Sequence, residues 1–173
     1  EVRIASADVA ATIAPFDNSD PLVLGIFSSF SILTASVYAG IADRALELAR
    51  GSANRPLLGD EPGIRLDDPD TASRLTAALL EHRASLDALA ILARDIDERR
   101  SRDDWPIALA AARVRVCDEA RSAVEVAMRL AGSRGFQADS ELARLFRDAL
   151  AGMFHPSSPQ ALAGMVRGAL VED

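Results

Sequence analysis

The sequence predicts an all-α fold: an up-and-down bundle of four main helices, a short C-terminal helix and a short extended N-terminal tail. Three observations predict it. Alanine and leucine dominate a chain that is 49% hydrophobic but only 5% aromatic, and strands would draw more Val, Ile, Tyr and Thr. Apolar residues recur at three- and four-residue steps through long stretches. Glycine and proline are modest in number, 10 and 8, and loops are marked where they cluster. At 173 residues the chain is one domain, or one domain with a remnant of another.

Residues 1–21 stand apart. Val2, Ile4 and Val9 to Ile13 are short apolar pieces, followed by a turn-rich stretch from Pro15 to Pro21. They read as the tail of a strand and a linker, with the helical domain over 22–173. From Leu22 to Arg50 there is no proline, and Ile26, Phe30, Leu33, Val37, Ile41, Ala45 and Leu48 form one helical seam. Residues 51–69 read as a loop, closed by Asp68 as an N-cap with Pro69 in the first helical position. A second helix should reach about Arg100, with Leu75, Leu79, His82, Leu86, Leu89, Ala93 and Ile96 on its seam.

A third helix starts near Asp104-Trp105-Pro106 and carries Ile107, Ala110, Val114, Cys117, Val124, Met128 and Ala131. That seam draws Arg121 onto an apolar face, where a guanidinium needs a carboxylate partner. Gly132 and Gly135 end this helix. Asp139 or Ser140 caps a fourth, with Leu142, Leu145, Phe146, Ala149 and Met153 inward, and His155-Pro156 stops it. Ser158 caps, and Pro159 opens, a last helix to about Val171. Long helices with this spacing pack as antiparallel bundles.

Composition narrows the function. A net charge of −7 argues against nucleic acid or an anionic membrane as partner. No apolar run reads as a membrane span and the start is not a signal peptide, so a cytoplasmic location is expected. Cys117 is the single cysteine, which leaves no intramolecular disulfide. The chain opens at Glu1 without Met and reads as a fragment or processed form. No metal site is expected. The only histidines, His82 and His155, follow Leu79 and Gly152 at three residues, so the Glu-x-x-His pairs of di-iron bundles are missing, and one Cys cannot build a zinc site. No Gly-x-Ser-x-Gly elbow is present. His82, on an apolar seam, reads as a core histidine hydrogen-bonded to a neighbour. Arg147-Asp148 reads equally as a helix surface pair.

The turn Arg129-Leu-Ala-Gly132-Ser133-Arg134-Gly135-Phe136 has glycines for close backbone approach and arginines suited to phosphate. On spacing alone a plain glycine C-cap is the favoured reading. From about Met128 to the C-terminus, the chain resembles the end of acyl-CoA dehydrogenase-superfamily flavoproteins without a gap. Their corresponding turn reads Gln-x-x-Gly-Gly-x-Gly-Phe and touches the dinucleotide part of FAD on a neighbouring subunit. Gly132, Gly135 and Phe136 match it, Ser133 replaces the second glycine, and Arg129 replaces the glutamine. More weakly, Ala39 to Glu47 is similar to the family's first long helix of this domain. The family's Arg-x-Phe-Gly segment is replaced here by Ser52 to Pro56 and a longer loop.

The resemblance implies a C-terminal helical domain that completes a flavin site, with FAD as cofactor, acyl-CoA or another small-molecule substrate, and a homo-oligomer, dimer or tetramer. In the commonest family arrangement a base follows as Tyr-Glu-Gly-Thr. Here His155-Pro156-Ser157-Ser158 stands there, so Pro156 replaces the catalytic glutamate. The alternative base location lies on the first long helix near Phe30, and no acidic residue falls between Asp20 and Asp43. Some superfamily members are monooxygenases supplied with reduced flavin by a partner reductase, and carry a histidine in this loop beside the flavin ring. His155 resembles that residue, and an imidazole suits proton transfer there; on sequence alone a helix-terminal histidine bonding the last carbonyls reads this position equally well. Three alternatives therefore stand beside each other: a dehydrogenase with an electron-transfer partner, a reductase-coupled monooxygenase using FAD or FMN with His155, and a non-catalytic helical scaffold subunit.

Overall fold

The computed structural model describes residues 21–57, 62–155 and 158–171. Residues 1–20 of the tail expected over 1–21, and Pro156, lie outside them, while Pro21 opens the first helix. Five α-helices follow in order: α1 (Pro21–Ala53), α2 (Pro69–Asp97), α3 (Trp105–Ala131), α4 (Glu141–Leu150) and α5 (Pro159–Val171). Short 3-10 turns at Arg65–Asp67, Gly132–Phe136 and Ala151–Phe154 link them, and no strand occurs among the described residues. The all-α bundle is as expected. α1 lies chiefly on α3, α2 covers both, and α4 and α5 close against α3.

The helix ends follow local chemistry. Asp68 accepts the Thr71 amide at 2.8 Å, with Pro69 opening α2 behind it. That bond holds the Asp68 carboxyl below the usual range. Ser140, rather than Asp139, caps α4 by accepting from the Ala143 amide at 3.0 Å. Ser158 accepts from Ala161 at 3.4 Å at the start of α5. Two boundaries differ from expectation. α1 runs on through Gly51 to Ala53, and α2 stops at Asp97 before Arg99 adopts a positive φ of 52°.

The main core is built from small residues. Ala35, Ala42, Ala45 and Ala49 of α1 face Val116, Ala120, Ala123 and Ala127 of α3, with Tyr38 and Leu46 filling the gaps. A second cluster of Leu92, Trp105 and Leu109 seals one end. Of the seam expected on α1, Ala45 is buried and Ile41 and Leu48 pack half-buried against the main core, but the N-terminal half is corrected. Ile26, Leu33 and Val37 are 62%, 66% and 64% exposed and Phe30 is 39% exposed, while Ser28, Ser31, Ala35 and Tyr38 are buried. Two stripes with helical spacing run along α1, and the smaller one packs because alanine and serine let helix axes approach closely.

On α3 the expected seam lies on or beside the core, and the buried face extends to residues next to it. Leu109, Arg113, Val116, Ala120 and Ala127 are buried with Ala110, Cys117 and Val124, whereas Val114 is half-buried. Arg121 is not on the core face. It pairs along its own helix with Glu125 at 3.0 Å, and a buried arginine of this helix is Arg113, about two turns earlier. Met153, expected inward, is 54% exposed. By length and composition α1 from Leu22 is apolar enough to cross a membrane, contrary to the sequence expectation. Its alanine face is packed in the bundle, as in a core helix.

Candidate functional site

Where α4 ends at Leu150, the Ala151–Phe154 turn lays the chain over α3. Gly152 makes this possible. A methyl there would lie 2.9 Å from Cys117 Cβ, 3.1 Å from Cys117 Sγ and 3.1 Å from Tyr38 Cε1. The turn delivers His155 in extended backbone, with its Nε2 2.9 Å from the Tyr38 hydroxyl. The two rings meet edge-to-face at 5.6 Å and 77°. Beneath them Arg113 is 1% exposed and sets its guanidinium 5.8 Å from the centre of the Phe30 ring. A cavity of about 310 Å³ lies alongside, lined by Arg113, Cys117, Asp118, Arg121, Gly152 and Ser158 among others.

Burial sets the electrostatics here. It raises the Tyr38 phenol above its ordinary range, with further upward contributions from Cys117 and Asp148. It pushes the Cys117 thiol up to about 11, so Cys117 remains a neutral thiol at pH 7 rather than a nucleophile. Burial also works against the Arg113 charge.

The second region is the turn at the end of α3. Gly132 takes φ 69°, and its amide reaches back to the carbonyls of Arg129 and Met128. Arg129, Gly132, Ser133, Arg134 and Phe136 are exposed, with Phe136 at 80%. Gly135 differs: it is buried, and a Cβ there would lie 3.1 Å from Ala131 Cβ and 3.3 Å from Leu142 Cδ1. The absence of a side chain there lets α4 close onto α3. Ser140 donates to the Gly135 carbonyl at 2.8 Å and Arg65 to the Leu130 carbonyl at 3.0 Å, which pins the turn from both sides. The exposed guanidinia and hydroxyl form a donor set that fits a pyrophosphate. His155 and this turn are far apart: from Cys117 to Gly132 α3 rises roughly 22 Å at 1.5 Å per residue.

His82 lies buried as expected, its Nδ1 3.4 Å from Glu119 Oε2 across α2 and α3. Burial raises the Glu119 carboxyl, and His82 works in the opposite direction. Arg147 and Asp148 are both exposed, and Asp148 lies 3.5 Å from Arg144. No group of three potential metal ligands occurs among the described residues. Sequence reasoning missed Tyr38, Arg113 and Arg65. Tyr38 had a signal, as the single tyrosine of the chain set among alanines and serines at helical spacing. Arg65 had none.

The family model for the C-terminal domain of acyl-CoA dehydrogenase matches residues 22–155. The chain belongs to this family. No curated protein matches it in sequence. Among solved structures, butyryl-CoA dehydrogenase from Megasphaera elsdenii is similar with a TM-score of 0.76 at 18% identity, over 89% of this chain and 38% of that one. An acyl-CoA dehydrogenase from Slackia heliotrinireducens gives a TM-score of 0.75 at 17% identity, over 87% and 38%. A nitroalkane oxidase gives 0.74 at 16% identity, over 84% and 35%. At these identities the likeness is one of fold, and this acyl-CoA dehydrogenase-type domain spans well under half the length of each neighbour.

Proposed function

We propose that the chain is the C-terminal domain of a flavin-dependent oxidoreductase, completing a flavin site and the contacts between subunits. The observation that carries this is the outward stripe of α1, Ile26, Phe30, Leu33 and Val37. Such a stripe, ending beside the Tyr38–His155 pair, fits cover by the remainder of a longer parent protein. When bound, FAD would supply the hydride-accepting ring. Arg129, Arg134, Ser133 and the amides around Gly132 would hold its pyrophosphate. Phe30 and Arg113 would line the reacting side, and Tyr38 would hold His155.

Within that class, acyl thioester dehydrogenation remains the default, with Pro156 in place of the expected glutamate and a base supplied from elsewhere in the assembly. The Tyr38–His155 hydrogen bond favours a second reading, a monooxygenase fed by a flavin reductase, in which His155 gives or takes a proton beside the ring. The fold does not decide between them, since solved neighbours of the same fold include acyl-CoA dehydrogenases and nitroalkane oxidases. The parent protein, reconstituted with FAD and mixed anaerobically with a panel of acyl-CoAs, separates the readings. Bleaching of the flavin absorbance supports the dehydrogenase. No bleaching, with oxygen-dependent turnover only when a reductase is added, supports the monooxygenase. No flavin uptake at all would leave the scaffold role.

A further inference from the structure

We propose that Tyr38 is a positioning residue that fixes the tautomer of His155, its hydroxyl donating to Nε2 so that Nδ1 carries the ring proton. The inference rests on the reading above only for its catalytic consequence; the hydrogen bond itself does not depend on it. Tyr38 is 4% exposed on the inner face of α1, and its oxygen lies 2.9 Å from His155 Nε2. A phenol buried there keeps its proton at neutral pH, and that proton needs an acceptor. An imidazole nitrogen bearing a lone pair is one, and a protonated Nε2 is not. Once Nε2 is spent on Tyr38, the group His155 can offer any reactant is Nδ1–H, on the far side of the ring.

The pair is braced rather than incidental. Gly152 seats the turn directly on Cys117 and on the Tyr38 ring, leaving no room for a side chain between them. The edge-to-face contact at 5.6 Å fixes the plane of the imidazole. Charged or titratable groups around the phenol come from α3, as Arg113 and Cys117, and from α4, as Asp148. The local signature is thus a residue on the first helix that sets the orientation of a residue on the last loop, 117 positions away.

The test uses the full-length parent protein labelled with ¹⁵N-histidine. The ring signals of His155 are identified by their loss in His155→Asn. A protonated-type shift at Nδ1 and an unprotonated-type shift at Nε2 are expected, with Tyr38→Phe collapsing this to a mixture. The reverse tautomer in the unsubstituted protein would overturn the proposal, and this reading survives even if Tyr38→Phe folds poorly. Kinetically, Tyr38→Phe should lower kcat about tenfold with KM unchanged and move the pH profile of the step that depends on His155. Tyr38→Phe with an unchanged tautomer and rate, where His155→Asn is inactive, would sink Tyr38 and spare His155. The expected tautomer with a fully active His155→Asn would sink the catalytic reading and spare Tyr38.

Discussion

Replacing Gly152 with alanine tests whether the His155 turn is held by close packing on α3. The new methyl would meet Cys117 Cβ at 2.9 Å, Cys117 Sγ at 3.1 Å and Tyr38 Cε1 at 3.1 Å. Unstrained carbon contacts lie at about 3.5–4.0 Å, so three atoms must give way by roughly 0.5–1 Å. Sγ can turn aside, but Cys117 Cβ is fixed to the backbone of α3, and Tyr38 is hemmed in at 4% exposure. Relief must come from lifting the turn. Overpacking of this kind costs about 1–3 kcal/mol, or roughly 2–12 °C in Tm for a domain of this size. Gly40 is the control. It is exposed in the middle of α1, and a Cβ there meets nothing within 4 Å. Alanine at Gly40 should therefore stabilise by about 0.5–1 kcal/mol by removing glycine's backbone freedom. Urea unfolding of both variants should give opposite signs. A Gly152→Ala protein within about 0.5 kcal/mol of the parent would refute the packing argument.

Three further outcomes are expected. Gly132→Ala, at φ 69° and ψ −154° with open space around it, should lose about 1–3 kcal/mol from backbone strain alone, because that region is essentially open to glycine only; chemical denaturation checks it. Glu119→Gln tests the buried pair with His82. Burial raises the Glu119 carboxyl in the fold, so its contribution is full below the unfolded value near 4.3 and is lost as pH rises through the folded value. The variant should therefore match the parent at low pH and gain on it as pH rises, with Glu81, Arg115 and His82 unchanged around the site; melting curves across pH would read this out, and a gain that shrinks with pH would contradict the sign. Finally, Arg129→Ala with Arg134→Ala should weaken flavin retention by the parent protein about tenfold while leaving the melting temperature of the flavin-free protein unchanged, and retention unchanged by equilibrium dialysis would remove the turn from the proposed cofactor site.

Helix number, order and ends were legible because caps and breakers are local. Asp68-Pro69, Ser140 and Ser158-Pro159 declare their role within four residues, and each does what its chemistry requires. The faces were harder to read. Periodicity locates a stripe but not the side of the helix that the rest of the fold will meet, and α1 carries two stripes. On α3 the same ambiguity put Arg121 inward, when Arg113 is the residue that is 1% exposed. The site divided likewise. The glycine turn and His155 announced themselves through composition and spacing, but Tyr38 and His155 stand 117 residues apart, and only the folded chain brings them together.

The inverted amphipathicity of α1 can be decided by experiment, because the two readings of its stripe predict different energies. If Leu33 and Val37 faced a core, truncation to serine would remove buried apolar area and cost about 2–5 kcal/mol each. In the structure they are 66% and 64% exposed, so Leu33→Ser and Val37→Ser should each change the stability of this chain by no more than about 0.5 kcal/mol. On the inner stripe the expectation reverses. Leu46 is 1% exposed, and Leu46→Ala should cost about 2–5 kcal/mol. Covering the outer side chains would contribute about 1.5–3 kcal/mol apiece if burial were complete. The same serine variants should therefore weaken flavin loading or subunit assembly in the parent protein while leaving this domain folded. A large loss of stability in the chain by itself would put the stripe back inside the bundle, and with it the site built on Tyr38.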